Sequence, residues 1–132
     1  MTARPRPPVL PDTEPVPERF RGAWKRVSLA VDGDAPGEHA DVVWLQTERT
    51  YADLRIPRYG YGDIVAPMSF AGTTTWGDPF LRWGRDLDLD AERPPGASDV
   101  GRVAWDGNDL VETGEFTDGD RAVPYTEVWP RV

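Results

Sequence analysis

The sequence contains no cysteine, and it has only one histidine, His39, among its 132 residues. The lack of cysteine excludes disulfides, thiolate metal sites, iron–sulfur clusters and cysteine nucleophiles. A site with two histidine ligands is excluded as well, and a catalytic triad would have to use His39. Haem ligation is one interpretation of His39, but a histidine in a surface loop is the simpler one. The sequence therefore predicts neither a bound metal nor a cofactor.

Long hydrophobic runs are also missing. No stretch approaches the roughly 18–20 apolar residues that a membrane-spanning helix needs, and the first residues lack the apolar core of a signal peptide. We therefore expect a cytoplasmic protein that does not enter membranes. Lysine occurs once, as Lys25, and the excess of 23 acidic over 15 basic residues gives a net charge of −8. Because nucleic acids are also negatively charged, this balance predicts that the protein does not bind them.

Proline and glycine are abundant, with 14 and 13 residues. That content disfavours a helical protein and favours many turns. Six of the prolines fall within residues 1–17, which predicts a disordered proline-rich arm over residues 1–18. The remaining residues, 19–132, are enough for a single domain. A short helix is expected near Pro17–Phe20. The preference for arginine over lysine is typical of bacterial genomes of high GC content.

Short runs of β-branched and aromatic residues, separated by turn signals, predict eight strands. The Asp106-Gly107 pair marks a hairpin, since glycine accepts the positive φ of a tight turn. Eight short strands joined mostly by tight turns favour an all-β fold, an eight-stranded antiparallel up-and-down barrel, over a β-sandwich. The expected strands are Ala23–Val31, Val42–Glu48, Tyr51–Ile56, Met68–Trp76, Phe80–Asp88, Val100–Trp105, Leu110–Phe116 and Tyr125–Trp129.

The polar faces of these strands repeatedly carry aromatic residues. Tyr51, Asp53 and Arg55 alternate with apolar residues, and so share one face of their strand. Such a face suits a ligand-holding interior, but it also suits an outer face whose charges pair across strands. In the first case the candidate ligand-binding residues are Arg26, Trp44, Gln46, Tyr51, Arg55 and Trp83. Burial would shift the pKa of a carboxyl group on such a face. The candidate general acids or bases are Glu112, Glu127 and Asp53.

Two other patterns have simpler explanations. The alternating acids of Asp86–Asp90 could suggest calcium, but they lack the glycine and distal glutamate of an EF-hand loop, so we expect an acidic strand end. Gly60-Tyr61-Gly62 is too short for a phosphate-binding motif and favours a loop at a barrel mouth. Trp24 and Trp129 are expected to be structural rather than ligand-binding.

The order of several short blocks resembles the lipocalins and the wider calycins. Gly22-Ala23-Trp24 is similar to their G-x-W signature, in which an arginine from the last strand usually covers the tryptophan. Arg131 is the matching candidate. The further blocks resemble a group of bacterial lipocalin-like proteins, themselves similar to the single domains of a fungal protein named for binding a casein kinase. These blocks are Val43–Gln46, Tyr51–Pro57, Phe70–Thr73, Trp83, Asp99–Gly101, Glu112–Gly114 and Tyr125–Trp129.

This resemblance implies a barrel that holds a small hydrophobic or amphipathic molecule, with a small cavity because the chain is short. Some calycins are decarboxylases, isomerases or cyclases of natural-product biosynthesis. A cofactor-free enzyme that uses barrel carboxylates is therefore a second hypothesis. A structural or protein-interaction module with a filled barrel is the third, and it would need an exposed apolar patch, for which residues 59–65 are candidates. Either a monomer or a homodimer is compatible with the sequence.

Overall fold

Antiparallel strands make up almost all of the regular structure. The computed structural model describes residues 14–34, 40–57, 69–90 and 97–132. A single 3-10 turn covers Glu18–Phe20, close to the short helix that the sequence predicts. The strands that follow are β1 (Gly22–Lys25), β2 (Ser28–Val31), β3 (Ala40–Gln46), β4 (Thr50–Pro57), β5 (Phe70–Gly77), β6 (Phe80–Gly84), β7 (Leu87–Asp88), β8 (Ser98–Asp106), β9 (Asp109–Asp118) and β10 (Arg121–Trp129).

The strands form one curled half-barrel sheet with the order β1-β3-β4-β5-β6-β8-β9-β10-β2, and β7 pairs with β5 outside this path. Every pairing is antiparallel. Tight turns join most neighbours. The turn between β8 and β9 carries Gly107 at a φ of 60°, as its Asp-Gly sequence predicts. The all-β antiparallel class expected from the sequence is thus confirmed.

The two outermost strands of this order, β1 and β2, are consecutive in the chain. Only Arg26 and Val27 separate them. The Arg26 amide donates to the carbonyl oxygen of Val42 in β3, and the Val27 amide donates to that of Val128 in β10, both at 3.0 Å. One continuous stretch of backbone therefore bonds to the strands at both edges of the curled sheet, to β3 on one side and to β10 on the other.

A bulge at this point shifts the pattern of inward and outward residues. Trp24 pairs with the buried Trp44, and Leu29 pairs with the buried Glu127. Trp24 and Leu29 are five positions apart, an odd number, so they could not both face inward in a strand of strict alternation. Ser28, which the alternation pattern groups with Trp24 and Arg26, pairs with Val128 on the outer face instead.

Two of the predicted strands are each divided in the structure. The predicted strand Ala23–Val31 is broken by the bulge, and the predicted strand Phe80–Asp88 ends at Gly84. After Gly84, the Arg85 amide bonds to the Ala97 carbonyl, and the Asp86 amide bonds to the Ala71 carbonyl. The chain thereby leaves β8 and adds β7 to the other half of β5. Residue propensity does not signal such a change of partner, because the sequence stays strand-like throughout.

One end of the curled sheet is covered by the segment before β1. Val16 is fully buried, and its amide donates to the Glu48 carbonyl at 2.9 Å. The Phe20 ring packs on Trp76 and stacks on Trp105, with centroid distances of 5.0 and 5.7 Å. Residues 14–18, which the sequence assigns to the arm, thus pack against the sheet. Residues 1–13 lie outside the described residues, and their predicted disorder stays a prediction.

Arg131 caps the same end, where the resemblance to lipocalins places an arginine. Its guanidinium lies 4.1 Å from the ring centroid of Trp24 and donates to the carbonyls of Arg21 and Arg19. Gly22 has a φ of 123°, and a Cβ there would come within 2.7 Å of the Arg131 guanidinium. Glycine is therefore favoured at position 22 by the backbone conformation, and a side chain there would also displace the Arg131 guanidinium. Within the described ranges, helical structure is too short to form a membrane span.

Candidate functional site

Alternation along β4 places its polar side chains inside the curled sheet. Tyr51 and Asp53 are buried, whereas Leu54 and Ile56 are 44% and 63% exposed. The polar and aromatic face is therefore the inner face of this strand. The Tyr51 hydroxyl donates to the Gly84 carbonyl at 3.0 Å, and burial raises the pKa of Tyr51 well above its ordinary value.

These side chains line a cavity. The bordering open space measures about 1170 Å³. This volume also takes in space along the outer faces of β6, β8 and β9, where Arg82 and Glu115 border it, so the interior part is smaller. All of the predicted site residues line this space except Gln46. The interior lining includes Arg26, Trp44, Tyr51, Asp53, Arg55, Phe70, Trp83, Arg85, Asp99, Glu112, Tyr125, Glu127 and Trp129.

Gln46 instead organises the aromatic layer near the covered end. Its Oε1 accepts hydrogen bonds from the indole nitrogens of Trp44 and Trp83, at 3.0 and 3.2 Å, and from the Thr74 hydroxyl at 3.2 Å. Its Nε2 donates to the carbonyl oxygens of Thr47 and Thr50. The amide is therefore fully used by the protein. A sequence pattern cannot separate this role from ligand binding, because both place a buried amide beside tryptophans.

Arg26 and Glu127 form a buried ion pair. The guanidinium Nη1 and the carboxylate Oε2 are 2.6 Å apart, and both residues are less than a tenth exposed. Arg26 lies two residues beyond the inward Trp24, so strand alternation turns it inward, and the pairing of β2 with β10 brings it near Glu127. The guanidinium also lies 6.0 Å from the Trp129 ring centroid, within cation–π range. Pairing is what makes burial of these charges tolerable.

Arg55 and Asp53 form a second pair within β4. Two residues apart on one face of a strand, they make a two-point contact with distances of 2.8 and 3.3 Å. Burial lowers the pKa of Arg55, but the charge and hydrogen bond of Asp53 outweigh burial and leave it raised. The Arg55 guanidinium also faces the Phe70 ring, 5.3 Å from its centroid. Arg55 is therefore a permanent cation on the cavity wall.

Glu112 and Tyr125 pair through a short hydrogen bond, for which two glycines make room. The Tyr125 hydroxyl lies 2.6 Å from Glu112 Oε2. A Cβ at Gly101 would lie 2.7 Å from the Glu112 side chain, and a Cβ at Gly114 would lie 2.7 Å from the Tyr125 hydroxyl. The two glycines thus leave the space in which the carboxyl and the phenol meet. Burial, followed by the neighbouring Glu112, raises the pKa of Tyr125 strongly, so the phenol stays protonated.

Glu112 and Glu127 stand directly opposite each other on β9 and β10. Burial and the nearby Glu127 raise the pKa of Glu112 well above 4.5, and the Tyr125 hydrogen bond only partly opposes this. Burial also raises the pKa of Glu127, but Arg26 opposes it through charge and a hydrogen bond. Since the Arg26 guanidinium stands beside Glu127, burial favours the neutral acid more strongly at Glu112 than at Glu127. The predicted acid candidates thus fall into distinct roles.

Arg85 and Asp99 belong to the site although the sequence analysis does not select them. Arg85 Nη2 lies 2.7 Å from Asp99, and Nη1 lies 3.4 Å from Asp88. The guanidinium carbon lies over the Phe70 ring, 3.5 Å from its centroid. Arg85 continues the inward alternation of Leu81 and Trp83 beyond the end of β6. That alternation is the sequence signal that could have identified Arg85 as an inward residue.

No described cluster of acidic and histidine side chains could hold a metal ion. Asp88, within the proposed acidic strand end, bonds to Arg85 and accepts the Asp90 amide. His39, Gly60-Tyr61-Gly62 and residues 59–65 lie outside the described residues. Comparisons of the chain with protein families, curated proteins and solved structures found no match.

Proposed function

We propose that the protein binds a small hydrophobic or amphipathic molecule in its interior cavity. The observation that carries this proposal is the cavity wall itself, in which aromatic rings alternate with buried polar groups that are already paired. Pockets of this kind bury the apolar part of a ligand, and a few polar groups fix its orientation. Trp44, Trp83 and Trp129 supply the apolar part of the wall, and Tyr125 and Glu112 supply hydrogen-bonding groups.

The fold favours this role if the curled sheet is an eight-stranded up-and-down barrel. Counting β1 and β2 as one strand and setting β7 aside leaves eight strands of the observed order. The bonds from Arg26 and Val27 to β3 and β10 support closure between the first and last strands. The packing of Arg131 over Trp24 supports the resemblance to lipocalins. The predicted cytoplasmic location remains an expectation from the sequence.

A fluorescent dye that brightens in apolar surroundings, N-phenyl-1-naphthylamine, tests the proposal directly. We expect saturable binding with one dye per chain. The matched control variants are Leu54→Glu and Leu87→Glu, both on exposed outer positions, and they should bind the dye as the unmodified protein does. Absence of saturable binding, or its loss in these outer variants, would contradict binding in the interior.

A cofactor-free enzyme is a second candidate, favoured by the buried carboxyl of Glu112, which has a raised pKa and lies beside Tyr125. A buried carboxylic acid in a cavity can donate a proton, and the carboxylate of Glu127 or Asp53 can accept one. An isomerisation of this type needs no other reactant. To test for catalysis, a molecule that binds in the cavity is incubated with the protein in D2O, and its uptake of deuterium is measured by mass spectrometry. Uptake should disappear in Glu112→Gln and persist in Glu115→Gln, whereas no uptake, or equal uptake in both variants, argues against catalysis.

An interaction module is a third candidate, because an apolar strip crosses the outer face. Leu45 pairs with Ala52, Ala52 with Ala71, and Ala71 with Leu87, so these side chains form one row. Leu45 and Leu87 are 40% and 72% exposed. Sedimentation at increasing concentration tests self-association through this strip. Self-association should be weaker in Leu87→Glu than in the unmodified protein. A monomer at all concentrations would argue against a second copy as the partner.

A further inference from the structure

The cations on the interior wall are already balanced by carboxylates. Each of the three arginines pairs with at least one acid at 2.8 Å or less. Glu112 has no such cation among the described residues, and its hydrogen-bond partner is the neutral Tyr125. The interior wall therefore holds one more carboxyl group than guanidinium groups. The pairs are Arg26 with Glu127, Arg55 with Asp53, and Arg85 with Asp99.

Glu112 lies where a ligand in the cavity would meet it. The residue is 7% exposed and borders the cavity. Its surroundings are acidic on three sides: Glu127 on β10, Asp99 on β8 and Asp53 on β4 each disfavour its negative charge. The cations nearby, Arg26 and Arg55, are held by their own carboxylates. A ligand cation that reaches this point could therefore pair with Glu112, the one carboxyl of the described interior wall that has no guanidinium partner.

The aromatic rings of the wall also suit a cation. Two of them already carry guanidinium groups, since Arg85 lies over Phe70 and Arg26 lies near Trp129. Trp44 and Trp83, packed edge to face with centroids 5.6 Å apart, border the same space. Positive groups bind to the faces of such rings, most strongly to tryptophan.

We infer that the interior binds an amphipathic molecule carrying a protonated amine, whose ammonium group pairs with Glu112 while its apolar part lies against the tryptophans. This inference rests on the proposed binding function and adds the charge of the ligand. On binding, Glu112 releases its proton to solvent and forms an ion pair with the ammonium group, which keeps all of its own protons. Tyr125 remains the hydrogen-bond donor to the carboxylate.

The protonation of Glu112 makes the affinity depend on pH. In the empty cavity, burial and Glu127 raise the pKa of Glu112 and so favour its neutral acid form. Binding of an ammonium group then has to remove that proton. The affinity for the amine should rise with pH until Glu112 is ionised in the free protein, and one proton should be released for each amine bound below that point.

Calorimetry with three probes of equal chain length tests the inference: octylamine, octan-1-ol and octanoate. At pH 7 we expect octylamine to bind at least about tenfold more tightly than octan-1-ol, in line with a hydrogen-bonded charge pair. Titrations in two buffers with different ionisation enthalpies should show release of about one proton, as the linkage requires. Glu112→Gln should reduce octylamine to the affinity of octan-1-ol. Glu115 is an exposed residue on the same strand, and Glu115→Gln should change neither the octylamine affinity nor the octan-1-ol affinity.

The outcomes separate the two proposals. If octan-1-ol or octanoate binds as tightly as octylamine, the inference that the ligand is a cation is wrong, and the proposed binding function stands. If no octyl probe binds, both proposals fail together. Unchanged octylamine affinity in Glu112→Gln would remove Glu112 from the site. Should that variant fail to fold, the proton release measured on the unmodified protein still decides the inference.

Discussion

At the scale of single residues, the interior depends on charges that are buried in pairs. Arg26 and Glu127 illustrate the energetics, because each would be costly inside the sheet without the other. The residue types of both could be predicted as site candidates from the alternation of polar and aromatic residues. Their pairing could not, because it depends on the long-range register that places β2 and the end of β1 beside β10. Local sequence contains no signal for that long-range pairing.

Removing one partner of this pair should be strongly destabilising. Arg26→Met leaves Glu127 buried without its guanidinium, and we expect a loss of about 3–5 kcal/mol in the free energy of unfolding. Lys25→Met is the matched control on the adjacent residue, since Lys25 is half-exposed and lies 3.9 Å from Asp41. The control should lose less than about 1 kcal/mol. Urea denaturation measures both, and equal losses would contradict a special role for the buried pair.

The protonated state of Glu112 gives a testable pH dependence. Its folded pKa is raised above the unfolded value, so the folded state binds the proton more tightly. The resulting stabilisation is complete below the unfolded pKa and is lost as pH rises through the folded pKa. Glu112→Gln, which is neutral at every pH, should therefore gain stability relative to the unmodified protein as pH rises above 4.5. Urea unfolding between pH 4 and 9 checks this, and a constant difference between the two proteins would contradict a raised pKa.

At the scale of elements, paired strands position the polar groups and glycines make the room. Gly101 and Gly114 lie on the neighbouring strands β8 and β9, and together they accept Glu112 and Tyr125. The space that these glycines leave for Glu112 and Tyr125 becomes visible only from strand register. Most strands could be predicted from turn chemistry and alternation. The division of the predicted strand Phe80–Asp88 could not, because it follows from a change of pairing partner at Arg85-Asp86.

Adding one methyl group tests this spatial requirement. Gly114→Ala places a Cβ 2.7 Å from the Tyr125 hydroxyl. It should cost about 1–3 kcal/mol of stability and weaken the Tyr125–Glu112 bond. Gly84→Ala is the control, since its Cβ would be 3.5 Å from the nearest atom, an ordinary contact. Thermal unfolding should show a clear loss in the first variant and little change in the second. Similar behaviour of the two would contradict the close packing at Gly114.

At the scale of the whole molecule, one end of the curled sheet is covered by residues from both terminal segments of the described chain. Val16, Phe20 and Arg131 cover one end, and the Gln46 network forms an aromatic layer behind them. The charged pairs stand deeper in the sheet, around the cavity. Composition and turn patterns predict the all-β class and the aromatic interior. They could not predict the burial of Val16, because a proline-rich segment reads as a solvated arm.

The location of binding is the most direct test of the central claim. Fluorine NMR of the protein labelled with 5-fluorotryptophan gives a separate signal for each tryptophan. On addition of the tightest-binding octyl probe, we predict shifts at Trp44, Trp83 and Trp129, which line the cavity. Trp105, which is 42% exposed beside the covered end, should not move. A shift confined to Trp105, or no shift at saturating probe, would contradict a ligand-binding interior.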